Sequence, residues 1–174
     1  MTVVQSALAP FTMKAFYLLT WGTAIGSNVW STISLPRTTF GTLQGRLTPL
    51  YFSFQTLSTA TLLLTHLWFH PALISSPLVE PHWATCEEGR QGLLILASVV
   101  PSLLNWVLVG PMATDVMLER HRLERLESKE YDEPNPSEAM SKANTKFSTL
   151  HGISSGLNTL ATVALVGLGL AISM

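Results

Sequence analysis

Four stretches of this chain contain no Asp, Glu, Lys or Arg: residues 15–36, 47–79, 91–114 and 147–174. Each exceeds the roughly 20 apolar residues that a helix needs to cross a hydrocarbon core. All four are rich in Leu, Val, Ile, Ala, Phe and Trp. A soluble helical bundle would carry charges on its outer faces at helical spacing, and these windows have none. Charged residues make up 12% of the chain, about half the usual globular share. The pattern therefore predicts an all-α fold: a polytopic membrane protein, one domain over residues 1–174, built as a four-transmembrane-helix bundle. The expected spans are about 12–34, 49–70, 90–110 and 148–172.

Orientation follows from where Lys and Arg fall. With four spans, Lys14 and Arg90 lie on one side, and Arg37, Arg46, Arg120, Arg122, Arg125, Lys129, Lys142 and Lys146 on the other. The bias predicts cytoplasmic loops at 35–48 and 111–147 and lumenal termini. Residues 112–131 tolerate a helix throughout, with Arg120 and Glu124 four apart,. They predict that the third helix extends into the cytoplasm, bent near Pro111. The Pro- and Ser-containing segment after it predicts a mobile linker over about 132–146.

The segment "LPRTTFGTLQGRLTPLYF" (35–52) joins the first two spans. On a helical projection Phe40, Leu43, Leu47, Leu50 and Tyr51 share one arc,. The expectation is a short interfacial helix lying on the membrane, with Pro49 in the first turn of the second span. Gly22 and Gly26, and Gly152 and Gly156, are small-xxx-small pairs that bring helices together, in a compact bundle or a homo-oligomer,.

Ionisable residues are almost absent from the spans, which argues against a proton-coupled pump or a carboxylate-dependent intramembrane enzyme. Neutral polar residues remain: Ser27 and Asn28; Gln55, Ser58 and Thr59; Ser98, Ser102 and Asn105; and His151, Ser155, Asn158 and Thr162. The last two sets each recur on one helix face and suit hydrogen bonding between helices. A sharper expectation is a polar groove at the cytoplasmic side, where Arg37, Gln44, Arg46, Asp115 and His151 converge and Asp115 pairs with Arg37 or Arg46. His66 and His70 have the spacing of metal ligands, but a third ligand would have to come from Cys86, His82 or Glu80,. No metal and no cofactor is expected. The single cysteine allows no internal disulfide,, and a net charge of -1 suggests no nucleic-acid partner,.

The 35–52 segment also resembles the signature of the transmembrane-protein-205-like family, through Leu35, Pro36, Arg37, Phe40, Gly41, Gln44, Leu47, Pro49, Tyr51 and Phe52. Asn105, Pro111, Thr114 and Met117 fit the family's spacing, as do His151, Gly152, Ser154, Ser155 and Asn158. One departure is the short segment "STIS" between Trp30 and Leu35. The resemblance implies a four-span membrane protein of the endomembrane or cell surface. The resulting expectation is a non-enzymatic integral membrane protein of the endoplasmic reticulum or a related membrane. Its role would be helper, trafficking or transport-like, through a groove of Arg37, Gln44, Arg46, Tyr51, Asn105, Asp115, His151, Ser155 and Asn158. The expected partners are the lipid bilayer and a membrane protein or second copy. The alternatives are a structural subunit of a larger complex and, behind it, a lipid-modifying enzyme using His151.

Overall fold

A computed structural model describes residues 12–34, 41–75 and 81–173, with side chains described outside 30–34, 41–46 and 81–82. All regular structure among these residues is helical. The helices are α1 (Met13–Ser34), α2 (Gly41–Phe69), two short pieces α3 (Ala72–Ser75) and α4 (Pro81–Thr85), α5 (Glu87–Leu104), α6 (Gly110–Glu127) and α7 (Glu138–Ser173). A π-helical turn, Asn105–Val109, joins α5 to α6 without a break.

Local chemistry sets the starts. Thr12 Oγ1 accepts from Ala15 N and caps α1,. Cys86 Sγ accepts from Gly89 N at 3.2 Å, with Glu87 and Glu88 in the favourable first turn of α5,. Ser137 Oγ accepts from Met140 N and caps α7,.

Long helices α1, α2, α5 and α7 close a ring of contacts: α1 on α2, α2 on α5, α5 on α7 and α7 on α1. Ala24, Leu62, Ile95, Leu165 and Leu168, one or two from each helix, are fully buried at its apolar centre. Trp21 packs against this layer and donates from Nε1 to the Leu165 carbonyl at 2.8 Å. Outward, the surface is apolar: Leu19, Leu57, Leu64, Trp68, Val163 and Leu170 are exposed. Two continuous helical segments, Glu87–Glu127 and Glu138–Ser173, are long and apolar enough to cross a membrane. Only 33% and 22% of their apolar windows are buried, so they are not the enclosed core helices of a soluble bundle.

Three sequence expectations change. Among the described residues no separate interfacial helix precedes Pro49. Gly41–Phe69 is one helix, and Pro49 lies inside it. The fourth helix begins at Glu138 rather than near residue 148, because Ser137 supplies a cap. The linker is accordingly shorter, and its backbone is tied down. Tyr131 N donates to Glu124 Oε1, Asn144 Nδ2 donates to the Tyr131 carbonyl, and Ser137 Oγ donates to Glu127 Oε1 at 2.6 Å. Ser128 and Asn135 turn the chain with positive φ, as short polar residues tolerate. The glycine pairs lie on open faces. A Cβ on Gly22, Gly26, Gly152 or Gly156 would meet nothing within 4 Å among the described residues, so these faces do not hold the bundle together.

Candidate functional site: a polar half-bundle and its end cleft

The bundle interior is polar between its apolar centre and one end, while on the other side of that centre Thr65 and His66 are the buried polar residues. Next to the Ala24–Leu62–Ile95–Leu165 layer, Ser27 Oγ donates to Gln55 Oε1 at 2.8 Å, and Thr162 Oγ1 donates to Asn28 Oδ1. One level further, Tyr51 donates from its hydroxyl to Asn158 Oδ1 at 2.8 Å. Beyond that, Asn105 Nδ2 donates to the Ser154 carbonyl at 3.0 Å. Asn28, Gln55, Thr59, Ser98, Ser102 and Asn105 are all at most 3% exposed. The short segment before Leu35 does not displace Ser27 and Asn28, which face the interior. Ser98 and Ser102 satisfy their hydroxyls on their own helix, at the Ile95 and Ser98 carbonyls. Of that stripe, among the described residues, only Asn105 bonds across helices.

Some of these groups lack full satisfaction. Gln55 Nε2, Thr56 Oγ1 and Asn105 Oδ1 are buried with no hydrogen-bond partner among the described residues. Such groups cost about 1–3 kcal/mol each, a sum that apolar side chains would avoid.

The polar column ends at a cleft of about 60 Å³ lined by Thr48, Phe52, Gly110, Ala113, Thr114, Met117, Phe147, His151 and Ser154. It lies between the N-terminal part of α2, the start of α6 and α7. The π turn creates its geometry. Pro111 has no N–H to give the Val107 carbonyl, and its ring would crowd that oxygen in a regular α-helix. The chain widens just before it, so that Gly110 N–H donates to the Asn105 carbonyl, five residues back,. Asn105 and Gly110 thereby point to the same side. A Cβ at Gly110 would lie 2.6 Å from the Asn105 carbonyl oxygen and 3.3 Å from the Phe52 ring. Glycine lets Phe52 form the cleft floor.

Arg120 lies beside the cleft, against its lining residue Phe147. It is three residues beyond Met117 on the same helix face. Its guanidinium lies 4.1 Å from the Tyr131 ring centre and 4.5 Å from that of Phe147. Phe147 also stacks on His151, with ring centres 5.9 Å apart and planes 6° apart. No carboxylate among the described residues pairs with Arg120, and its buried Nε has no hydrogen-bond acceptor there. Replacing it (Arg120→Gln) is expected to cost about 1–2 kcal/mol, the value of a desolvated cation–π contact. It should also loosen the Tyr131 turn, read as faster limited proteolysis within residues 128–137.

The expected groove residues divide. Tyr51, Asn105 and Asn158 sit in the polar column, and His151 lines the cleft. Asp115 and Ser155 are exposed and line no part of the cleft. Arg37 lies outside the described residues, and the side chains of Gln44 and Arg46 do too, so the Asp115 ion pair lies beyond them. His82 and Glu80 are likewise outside, and no group of three metal-binding side chains occurs among the described residues. Sequence reasoning missed Thr48, Phe52, Gly110, Phe147 and Arg120. The signal available was a shared face, Gly110–Thr114–Met117 opposite Phe147–His151–Ser154.

Among known proteins, a family model described as "Domain of unknown function (DUF4149)" matches residues 19–122, more than half of the chain. No curated protein and no solved structure matches.

Proposed function

We propose, from the premise that the chain belongs to the DUF4149 family, that it is a non-enzymatic integral membrane protein whose bundle forms a vestibule. The vestibule opens at the Thr48–His151 cleft and is closed at its far end by the apolar layer. The role is helper, trafficking or transport-like, for a polar or amphipathic cargo taken in from the cleft side. The observation that carries this reading is the run of buried polar groups behind the cleft. Uncharged hydroxyl and amide groups run from the cleft to Ser27–Gln55, where the apolar layer of Leu62, Ile95 and Leu165 interrupts them before buried Thr65 and His66.

All four long helices span the membrane in this reading, which the exposed apolar residues on each of them support. The resemblance to transmembrane-protein-205-like proteins points the same way. The Lys and Arg bias sets the cleft toward the cytoplasm and the termini toward the lumen, with the endoplasmic reticulum or a related membrane as the proposed location.

Thiol accessibility tests this. In a Cys86→Ser background, a membrane-impermeant maleimide is applied from either side of sealed vesicles to Ser154→Cys, Ser102→Cys and Ile95→Cys. Ser154→Cys should react fastest and Ser102→Cys more slowly, both only from the side bearing residues 128–137. Ile95→Cys should be inert from both. Equal reaction at Ser102→Cys and Ile95→Cys would remove the vestibule.

A second reading, a structural subunit of a larger complex, draws on the outward-facing glycine pairs, whose Cβ positions are open. A stoichiometric partner retained in mild detergent, and lost in Gly152→Leu, would favour it.

A further inference from the structure

We propose that the cleft holds one phospholipid, its phosphate taken by Arg120 and His151 and the first carbons of an acyl chain lying against Phe52 and Met117. The proposal rests on the vestibule reading and names what occupies its mouth.

Arg120 is the first reason. A half-buried guanidinium held between two aromatic rings has its position fixed. With no carboxylate in ion-pair contact and a buried Nε without an acceptor among the described residues, it has donors to spare. A phosphate oxygen is the acceptor that guanidinium geometry suits best. Glu124 and Asp132 lie close enough to act on Arg120 electrostatically.

His151 is the second. It stacks on Phe147, the ring that Arg120 also touches. Two N–H-bearing groups therefore contact one ring, Phe147, which lines the cleft. The third reason is the wall. Phe52, Ala113 and Met117 are apolar, and Met117 and Phe52 are buried. A chain without a phosphate would leave Arg120 unsatisfied. The fourth is position. The cleft lies where the charge-free window 91–114 gives way to the charged turns of α6, the level at which a headgroup meets its chains.

The test uses purified, delipidated full-length protein in detergent, with bound lipid read by native mass spectrometry. The probes are phosphatidylglycerol, diacylglycerol with the same chains, and inorganic phosphate. One phosphatidylglycerol per chain should be retained, with diacylglycerol held about tenfold less, the factor that 1.4 kcal/mol gives. Arg120→Gln should lower phosphatidylglycerol retention by a similar factor. Thr48→Phe and Met117→Trp, which fill the cleft, should abolish it. Arg122→Gln, an exposed arginine paired with Glu119, should leave it unchanged. Thr48→Phe at the partly exposed rim carries the test if Arg120→Gln does not fold. Equal retention of diacylglycerol, retention that survives both filling variants, or displacement by inorganic phosphate would each overturn the proposal. Lost lipid retention with graded thiol reactivity intact removes the lipid alone. Flat thiol reactivity removes the vestibule beneath it.

Discussion

Gly110→Val is expected to lower the stability of the protein by about 3 kcal/mol, the upper end for overpacking a tight interior site, and to erase the cleft. The reason is that the neighbour is backbone. A Cβ at Gly110 would sit 2.6 Å from the Asn105 carbonyl oxygen, which cannot rotate away. Relief requires breaking the Gly110-to-Asn105 hydrogen bond that defines the π turn. If the segment then returned to α geometry, every residue after it would turn by about 100° relative to α5, the angle of one residue in an α-helix. Thr114, Met117 and Arg120 would leave the face they share with Phe147. Thermal unfolding in detergent reads the first effect, and the reaction rate of Ser154→Cys with maleimide reads the second. Gly110→Ala meets the same oxygen and should cost about 1–2 kcal/mol. Wild-type stability in Gly110→Ala would show that the π turn is not a constraint.

The same turn marks the limit of what the sequence reveals. The four charge-free windows sufficed to place α1, α2, α5 and α7, since a charge-free apolar run of that length suits a hydrocarbon core and is avoided by a water-facing helix. Helix ends depended on single residues with two readings. Pro49 suits a first turn, but it is equally borne inside α2, where the lost hydrogen bond faces Gly45 near the start of the helix,. Ser137 followed by Glu138 is a start signal, hidden behind prolines that read as a linker. The inward positions of α5 and α6 run Ser98, Ser102, Asn105, then Gly110, Met117. The step of five between Asn105 and Gly110 is a phase slip that a strict 3.6-residue projection discards. His151, Ser155, Asn158 and Thr162 show the opposite failure. They lie on one face by spacing, yet His151 and Ser155 are exposed and the other two reach neighbouring helices. Periodicity predicts a face, not how far along the helix a neighbour covers it. Arg120 was legible only as one charge among many, because its partners are Tyr131 and Phe147 rather than an acid.

Gln55→Leu separates a polar column kept for function from one kept for cohesion. It is expected to raise the stability of the protein. Gln55 is 1% exposed and its Nε2 has no partner among the described residues. Turning the amide over would only exchange the roles: Nε2 would then meet Ser27, and Oε1 would be left bare. One of its two polar atoms stays unmatched in either orientation, at about 1–3 kcal/mol. Removing the amide frees that cost. It strands nothing, because the Ser27 hydroxyl also lies 3.0 Å from the Ala24 carbonyl and can donate there. Leucine is close to glutamine in size, so no cavity follows. Against the loss of one neutral hydrogen bond worth about 1 kcal/mol, the net gain should be between zero and about 2 kcal/mol, seen as a higher unfolding temperature in detergent. If Gln55 serves the vestibule, the same variant should slow maleimide reaction at Ser102→Cys, because an apolar side chain now extends the sealing layer formed by Leu62 and Ile95. A protein that gains stability and loses access would be carrying its buried amide for passage, a trade seen where activity needs a destabilised site. A drop in stability instead would mean that Gln55 is fully satisfied in the membrane, and that the column is cohesive glue.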